Sequence, residues 1–443
     1  MPLIEPRVLK GFRDFLPFQE LKRRDMIETI EKSFRSFGFV PIDTPALEYA
    51  EILLGKGGGD TEKQIYRFSD QGGRDVALRF DLTVPFARFI AEHKSDLTFP
   101  FKRYHIAKVW RGENTQRGRY REFTQCDFDI AGSDSAAADF EILLIMRNTL
   151  QTLCKGAAEK NNAGNKGEIT IRINHRGLFS RYLASLGMEE KSAEILRQVD
   201  KLGKIGRDGV QELLETIAGK NVSKKILDFI SLGREGDFDS ALEKCKAAAG
   251  EGDDTKRLEE LRRFMKDAGI SDCFALDPSI TRGLDYYTGI VYETFLDKLP
   301  GIGSVCSGGR YDNLSGLYSK ENIPGVGSSI GLDRLQAALE ELEDAGNCTG
   351  YADAAVVCLS EDDAGKAQVS AERFRMLGLN IEVFLEVKKT SQQFMLAEKK
   401  GIPWAVIPDY AAGCFTLRNI AGRENRDNVD FETAAAIIKN KNS

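Results

Sequence analysis

Histidine is scarce in this sequence. Its three copies, His93, His105 and His175, stand far apart among 443 residues, so a metal centre built from imidazoles is not expected. The eight cysteines (Cys126, Cys154, Cys245, Cys273, Cys306, Cys348, Cys358 and Cys414) include no C-x-x-C pair. In a chain this long that scatter implies reduced thiols rather than a disulfide framework or a zinc site. No apolar run reaches the ~20 residues of a membrane span, and the opening MPLIEPRVLKGFRDFLP lacks the apolar block of a signal peptide. The chain is therefore expected in the cytoplasm and away from membranes, with a longer natural N-terminus or an additional organellar pool left open. A positive charge excess is also missing. The net charge of −6 argues against a generic nucleic-acid coat and confines any nucleic-acid contact to local patches. The phosphate-loop pattern G-x-x-x-x-G-K-[ST] is absent too. The run Gly55–Gly59 has no strand before it and reads as a mobile loop, and the G-x-G-x-x-x-G over 325–331 is not a dinucleotide fingerprint.

What the sequence does hold is one unusual hairpin. Residues 103–130, RYHIAKVWRGENTQRGRYREFTQCDFDI, read as two strands, Arg103–Arg111 and Arg119–Ile130. A polar turn with Gly112 and Gly118 at its ends joins them. Alternation puts Arg119, Arg121, Phe123, Gln125, Asp127 and Asp129 on one face. An ordinary sheet would present hydrocarbon there. This one offers guanidinium groups, a flat ring, an amide and two carboxylates. Arginines suit phosphate, a phenylalanine suits a base, and acids suit an ammonium or an imidazole. Taken alone, these residues equally describe a solvated hairpin whose charges face water.

The length sets two or three domains. A helix is expected over Phe18–Phe37, where Met26, Ile27, Ile30, Phe34 and Phe37 recur at helical spacing. The extended Phe39–Pro45 carries prolines that suit an edge or an interface. Val76–Leu82 reads as a strand closing on Asp81 and Thr83, which suit either an ammonium anchor or the cap of the helix that follows. After the hairpin come an amphipathic helix (Asp134–Leu153), a polar connector (Lys155–Glu168) and a strand (Ile169–Asn174). Residues 177–271 read as almost continuous charged helix with no catalytic constellation, an inserted module. Ser279–Phe295 then places Arg282, Asp285, Tyr286 and Tyr287 ahead of an alternating strand. Ser304–Leu314 carries a Gly-Gly turn suited to close backbone approach. Gly325–Leu335 is a small-residue strand running into a helix with Arg334 on its first turn. Beyond an acidic linker (340–351), strands over 354–359, 380–385, 403–407 and 414–419 alternate with helices, the last starting at Phe431. That texture is a small α/β domain with a mixed sheet.

Assembled, these stretches resemble a class II aminoacyl-tRNA synthetase and, over nearly the whole chain, the histidyl-tRNA synthetase family in its eukaryotic type. Phe39–Pro45 with its preceding helix resembles motif 1, Arg111–Asp129 motif 2 and Gly327–Leu335 motif 3. RGLDYYTG (282–289), SGGRYDNL (307–314) and RFDLTVPFAR (79–88) are similar to the family's more specific signatures. The fold this implies is α+β: a class II antiparallel sheet flanked by helices over 1–345, with a helical insertion over 177–272. A C-terminal anticodon-binding α/β domain with a mixed sheet would follow over 351–443. The implied activity is that of a histidine–tRNA ligase. L-histidine and ATP would give histidyl-adenylate and pyrophosphate, and histidine would pass to the 3′ end of tRNA(His). The resemblance also implies Mg²⁺ on the ATP phosphates and a homodimer.

By the same resemblance, Arg111 and Arg282 are the catalytic pair on the α-phosphate and the attacking carboxylate. Asp81 and Thr83 hold the histidine ammonium with Gln125 nearby, and Asp129 and Tyr287 contact the imidazole in a pocket lined by Tyr286. Glu113, Arg119 and Phe123 surround the adenosine and phosphates, Arg334 stacks on the adenine, and Gln116 meets the tRNA acceptor end. A histidine-sensing regulatory relative of this fold would be expected to lack the phosphate arginines or the C-terminal domain. Both are present here.

Overall fold

The computed structural model describes residues 3–55, 62–159, 169–233, 237–280, 286–312, 316, 318, 321–342 and 350–440. Gly55 apart, the loop expected over Gly55–Gly59 lies outside them, as do residues 160–168 of the polar connector, Arg282, Asp285 and most of the acidic linker. The chain divides into two compact units, residues 1–13 with 26–343, and 14–25 with 344–443.

In the larger unit the strands are β1 (Val40–Pro41), β2 (Leu47–Tyr49), β3 (Arg67–Ser69), β4 (Asp75–Leu78), β5 (Phe101–Trp110) and β6 (Glu122–Ala131), followed by β7 (Ile169–His175), β8 (Phe274–Leu276), β9 (Ile290–Leu296), β10 (Cys306–Tyr311) and β11 (Gly325–Gly331). Among the described residues, eight of them form one sheet in the order β1-β5-β6-β11-β10-β9-β7-β8, and β2-β4-β3 form a small one. The large sheet is antiparallel except at its rims, where β1 pairs with β5 and β7 with β8 in parallel. The two-residue β1 is what the prolines of 39–45 allow, since proline donates no ladder hydrogen bond.

Side-chain alternation gives this sheet its two characters. On β6, Cys126, Phe128 and Ile130 point into the hydrophobic core. There Phe34 of the helix Pro17–Ser36 meets Phe128 with ring centroids 4.7 Å apart. Ile142, Leu143, Met146 and Leu150 of the helix Ala136–Glu159 cover the same side, each stabilising the fold by about 1.5–3 kcal/mol through burial. Gln125, Asp127 and Asp129 occupy the opposite face. The inserted module is helical from Arg176–Ser185 through Asp253–Asp267, and its apolar residues join the same core. A buried ion cluster fastens it. Asp139 takes two contacts from Arg310 of β10, at 2.9 and 2.6 Å, and a third at 2.7 Å from Arg257 of the insertion.

Two expectations need correcting. Gly308 and Gly309 form no turn; both lie inside β10. A Cβ on Gly308 would stand 2.1 Å from the Gly327 carbonyl oxygen, and one on Gly309 2.9 Å from the Tyr287 ring. The pair is there so that neighbouring strands and a tyrosine can close in. Arg119 and Arg121 also do not share the β6 face, because the strand begins only at Glu122.

The smaller unit holds β12 (Ala354–Val356), β13 (Ile381–Val383), β14 (Trp404–Asp409), β15 (Cys414–Asn419) and β16 (Asn425–Val429), in the order β13-β12-β14-β15-β16. β12 pairs in parallel with β13 and β14, whereas the β14–β15 and β15–β16 pairs are antiparallel, so the sheet is mixed. Alternation along β14 sends Trp404 and Val406 to one apolar cluster and Ala405 to another. β16 has no counterpart in the sequence reading because NRDNV carries no apolar alternation and sits exposed at an edge. No described helix is long and apolar enough to cross a membrane.

Asp139→Ala would remove the buried carboxylate shared by Arg310 and Arg257. It is expected to destabilise the larger unit by about 3–5 kcal/mol, read as a lowered midpoint in urea. Arg257→Met, at the more exposed end of the cluster, should cost less.

Candidate active site

A cleft of about 1430 Å³ opens over the polar face of the large sheet. Asp81, Thr83, Arg111, Glu113, Arg119, Phe123, Gln125, Asp129, Tyr286, Tyr287 and Arg334 all line it. Gln116 does not. It sits exposed at the hairpin tip, bonded backbone to backbone with Arg119 at 3.1 and 2.9 Å. Arg282 lies outside the described residues.

One end of the cleft is cationic. Arg111 follows β5; its Nε donates to the Phe80 carbonyl at 2.8 Å and its guanidinium stands 5.2 Å from the centre of the Phe123 ring. Arg119 reaches Glu113 at 3.5 Å. Arg334 lies on the first turn of the helix Leu332–Leu342 and donates to the Ser304 carbonyl at 2.5 Å. Burial, with Arg119 close by, brings its guanidinium down to about 10. Gly118, at φ +69°, lets the hairpin loop pass over this arginine: a Cβ there would stand 3.3 Å from the Arg334 Cα. Behind the loop, Arg13 ties the N-terminal segment to both sides, pairing with Asp333 at 2.8 Å and donating to Tyr120 Oη at 3.1 Å.

The other end is acidic and buried. Asp81 serves as the helix cap its sequence allowed, and it also faces the cleft. Oδ1 accepts from the Val84 backbone N–H at 3.0 Å, holding the start of the helix Thr83–His93, while Oδ2 lies 3.5 Å from Tyr286 Oη at the cleft. Burial pushes its carboxyl up to about 6. Asp127 and Asp129 are also pushed up by burial, opposed chiefly by Arg103. Tyr286 and Tyr287 meet edge to face at 4.9 Å, and burial holds both phenols well above their ordinary range. Gln125 Nε2 donates to Ser329 Oγ at 2.9 Å, joining residues 204 apart in the chain. Gln125 Oε1 remains a buried acceptor with no hydrogen-bond donor, and Asp129 Oδ2 is met by an ion pair with Arg103 at 2.8 Å.

Several neighbours escaped the sequence reading. Arg103 and Tyr311 hold Asp129, Ser329 holds Gln125, and Glu189, Glu190, Arg197 and Lys201 of the insertion form the far wall of the cleft. Arg103 had a signal: it shares strand parity with Arg111 and therefore a face. The insertion residues had none, since their side of the cleft is set by tertiary packing alone.

This sheet, with arginines after β5 and after β11 facing a buried acidic floor, defines a class II aminoacyl-tRNA synthetase. The chain belongs to the histidyl-tRNA synthetase family, whose model matches residues 11–335, and an anticodon-binding-domain model matches residues 353–441. A histidine–tRNA ligase of Treponema denticola is 55% identical over 92% of this chain and 90% of its own. One of Treponema pallidum is 47% identical over 91% and 90%. A crystal structure of histidyl-tRNA synthetase from Nostoc sp. PCC 7120 superposes with a TM-score of 0.85 at 32% identity, covering 99% of this chain and all of that one. These relatives are bacterial, and the eukaryotic-type refinement finds no support among them.

The raised Asp81 carboxyl sets a pH dependence. An acid whose folded pKa lies above its unfolded value favours the fold below about pH 4, and that contribution is lost as pH rises through about 6. Asp81→Asn keeps an oxygen for Val84 and removes the charge. It is expected to stabilise the ligand-free protein by about 3 kcal/mol at pH 7.5 and by nothing measurable near pH 4, read by thermal unfolding at both pH values.

Proposed function

We propose that the cleft activates L-histidine with ATP and then charges tRNA(His), with residues 1–345 as the catalytic unit, 177–272 as its helical insertion and 351–443 reading the anticodon. The observation that carries the site assignment is Gln125 Oε1, a buried acceptor without a donor, beside the buried carboxylates Asp81 and Asp129 on the floor of a cleft whose opposite end is lined with arginines. An ammonium and a ring N–H are the donors such a floor lacks, and a triphosphate is the anion such an end lacks.

In this reading Asp81 and Thr83 take the histidine ammonium with Gln125, and Asp129 and Tyr287 take the imidazole between the tyrosine rings. The substrate carboxylate attacks the α-phosphorus, the bond to the pyrophosphate oxygen breaks, and negative charge grows on the phosphate oxygens. Arg111 stabilises that charge, with Arg282 as its partner. Catalysis of this kind needs placed cations and no nucleophilic side chain. Phe123 and Arg334 sandwich the adenine, Glu113 and Arg119 flank the nucleotide, and Gln116 at the exposed hairpin tip meets the acceptor end of the tRNA.

Mg²⁺ enters with ATP as part of the substrate. Among the described residues no group of three or more His, Cys, Asp or Glu could hold a metal. The two carboxylates that act on Arg334, Glu113 and Glu293, suit an ion kept mainly by phosphate oxygens and water. A homodimer is the reading of the motif 1 region, where Val40, Leu47 and Tyr49 stand exposed beside the sheet edge. The free thiols among the described cysteines support a reducing, cytoplasmic setting.

ATP–pyrophosphate exchange across the twenty amino acids tests this directly: histidine alone should drive it. Arg111→Ala is expected to lower kcat/KM for exchange by a factor on the order of 10² to 10³, about 3–4 kcal/mol. Exchange equal to the parent's would refute the role given to Arg111.

A further inference from the structure

Asp129 is held from three sides, and the cleft does not account for two of them. Arg103 of β5 lies directly across the ladder from it and is fully buried. Its Nη2 stands 2.8 Å from Asp129 Oδ2, its guanidinium lies 4.1 Å from the centre of the Phe86 ring, and it also reaches the Leu82 carbonyl. Tyr311 of β10 donates to Oδ1 at 2.6 Å. On β11, a Cβ at Gly327 would stand 1.9 Å from Oδ1, so only glycine leaves room for the carboxylate in this seat. Arg103 and Tyr311 thus engage one oxygen each. Oδ2 is itself buried and is met by the Arg103 ion pair, while Asp129 as a whole lines the floor of the cleft.

We infer that Arg103 is a specificity-positioning residue, a buried cation that keeps Asp129 ionised and aimed as the acceptor for the ring N–H of the incoming amino acid. This rests on the histidine activation proposed above. A buried carboxyl without its cation takes up a proton, and a protonated Asp129 would present a donor where the ring needs an acceptor. The groups facing Asp129 are Arg103 from β5, Asp127 on its own strand, Tyr311 from β10, Tyr287 ahead of β9 and Tyr292 on β9; β11 supplies only Gly327. Of these Arg103 is the one cation, so the charge state of the acid depends on it.

Pyrophosphate exchange with the full chain separates this role from a merely structural one. Arg103→Gln is expected to raise KM for histidine by about 10- to 100-fold near pH 7, with KM for ATP changed by less than about twofold. The sign with pH follows from the carboxyl: without the cation its pKa rises further, so the variant-to-parent ratio of histidine KM should fall as pH is raised. Arg103→Lys should recover most of the loss. Tyr311→Phe, which keeps the ring and removes one donor, should show the same histidine-selective, pH-dependent change in smaller measure and serves if Arg103→Gln fails to fold. Histidine and ATP KM values rising together with a ratio flat in pH, or a histidine KM unchanged in these variants, would overturn the inference. Histidine-dependent exchange by the parent chain tests the underlying activity separately.

Discussion

A buried carboxylate must be met by a cation, by donors, or by a proton, and this protein buries Asp81, Asp127 and Asp129 beside one cleft. Much of the surrounding architecture answers that requirement. Arg103 comes from the strand next to Asp129, Tyr311 from β10, and the Val84 backbone N–H from a helix start. The answer is incomplete, because the acceptor on Gln125 keeps lone pairs without a donor. Such sites are costly in an empty protein and favourable once a cationic, donor-rich ligand arrives. An amino acid with a ring N–H is such a ligand. The same logic makes the site strict, since an analogue without the donor leaves the floor unpaired.

The opposite end of the cleft obeys the reverse rule. Arg111, Arg119 and Arg334 converge with few carboxylates among them, and Arg334 already feels burial and Arg119 as a lowered affinity for its proton. A polyanion relieves that repulsion. The cleft thus runs from an acid floor to a field of cations. Reaction at phosphorus then needs positioned charge rather than a nucleophile. Glycines make this geometry sterically feasible: Gly118 lets the loop lie on Arg334, Gly309 admits the Tyr287 ring, and Gly327 seats Asp129.

Much of this was legible in the order of residues. Alternation in REFTQCDFDI separates Phe123, Gln125 and Asp129 from Cys126, Phe128 and Ile130, and the structure keeps that division. The spacing of Ile30 and Phe34 marks a buried helix face. Other features were not legible. The Gly-Gly pair reads as a turn when its neighbours are unknown, because a missing Cβ has the same sequence whether it frees the backbone or makes room for a strand. Arg121 follows strand parity on paper, yet its backbone N–H is used by the Gly11 carbonyl of a distant segment, ahead of the first β6 residue.

By itself, then, the chain determined its periodicities, its scarcity of histidine, and residue types whose chemistry suits phosphate and imidazole. These are local properties, set by backbone geometry and side-chain chemistry over a few residues. Only the tertiary structure decided that Arg103 stands behind Asp129, that Ser329 meets Gln125, and that the inserted helices wall the cleft. Those facts depend on strand order and on which faces close together to exclude water, and no short window of sequence contains them.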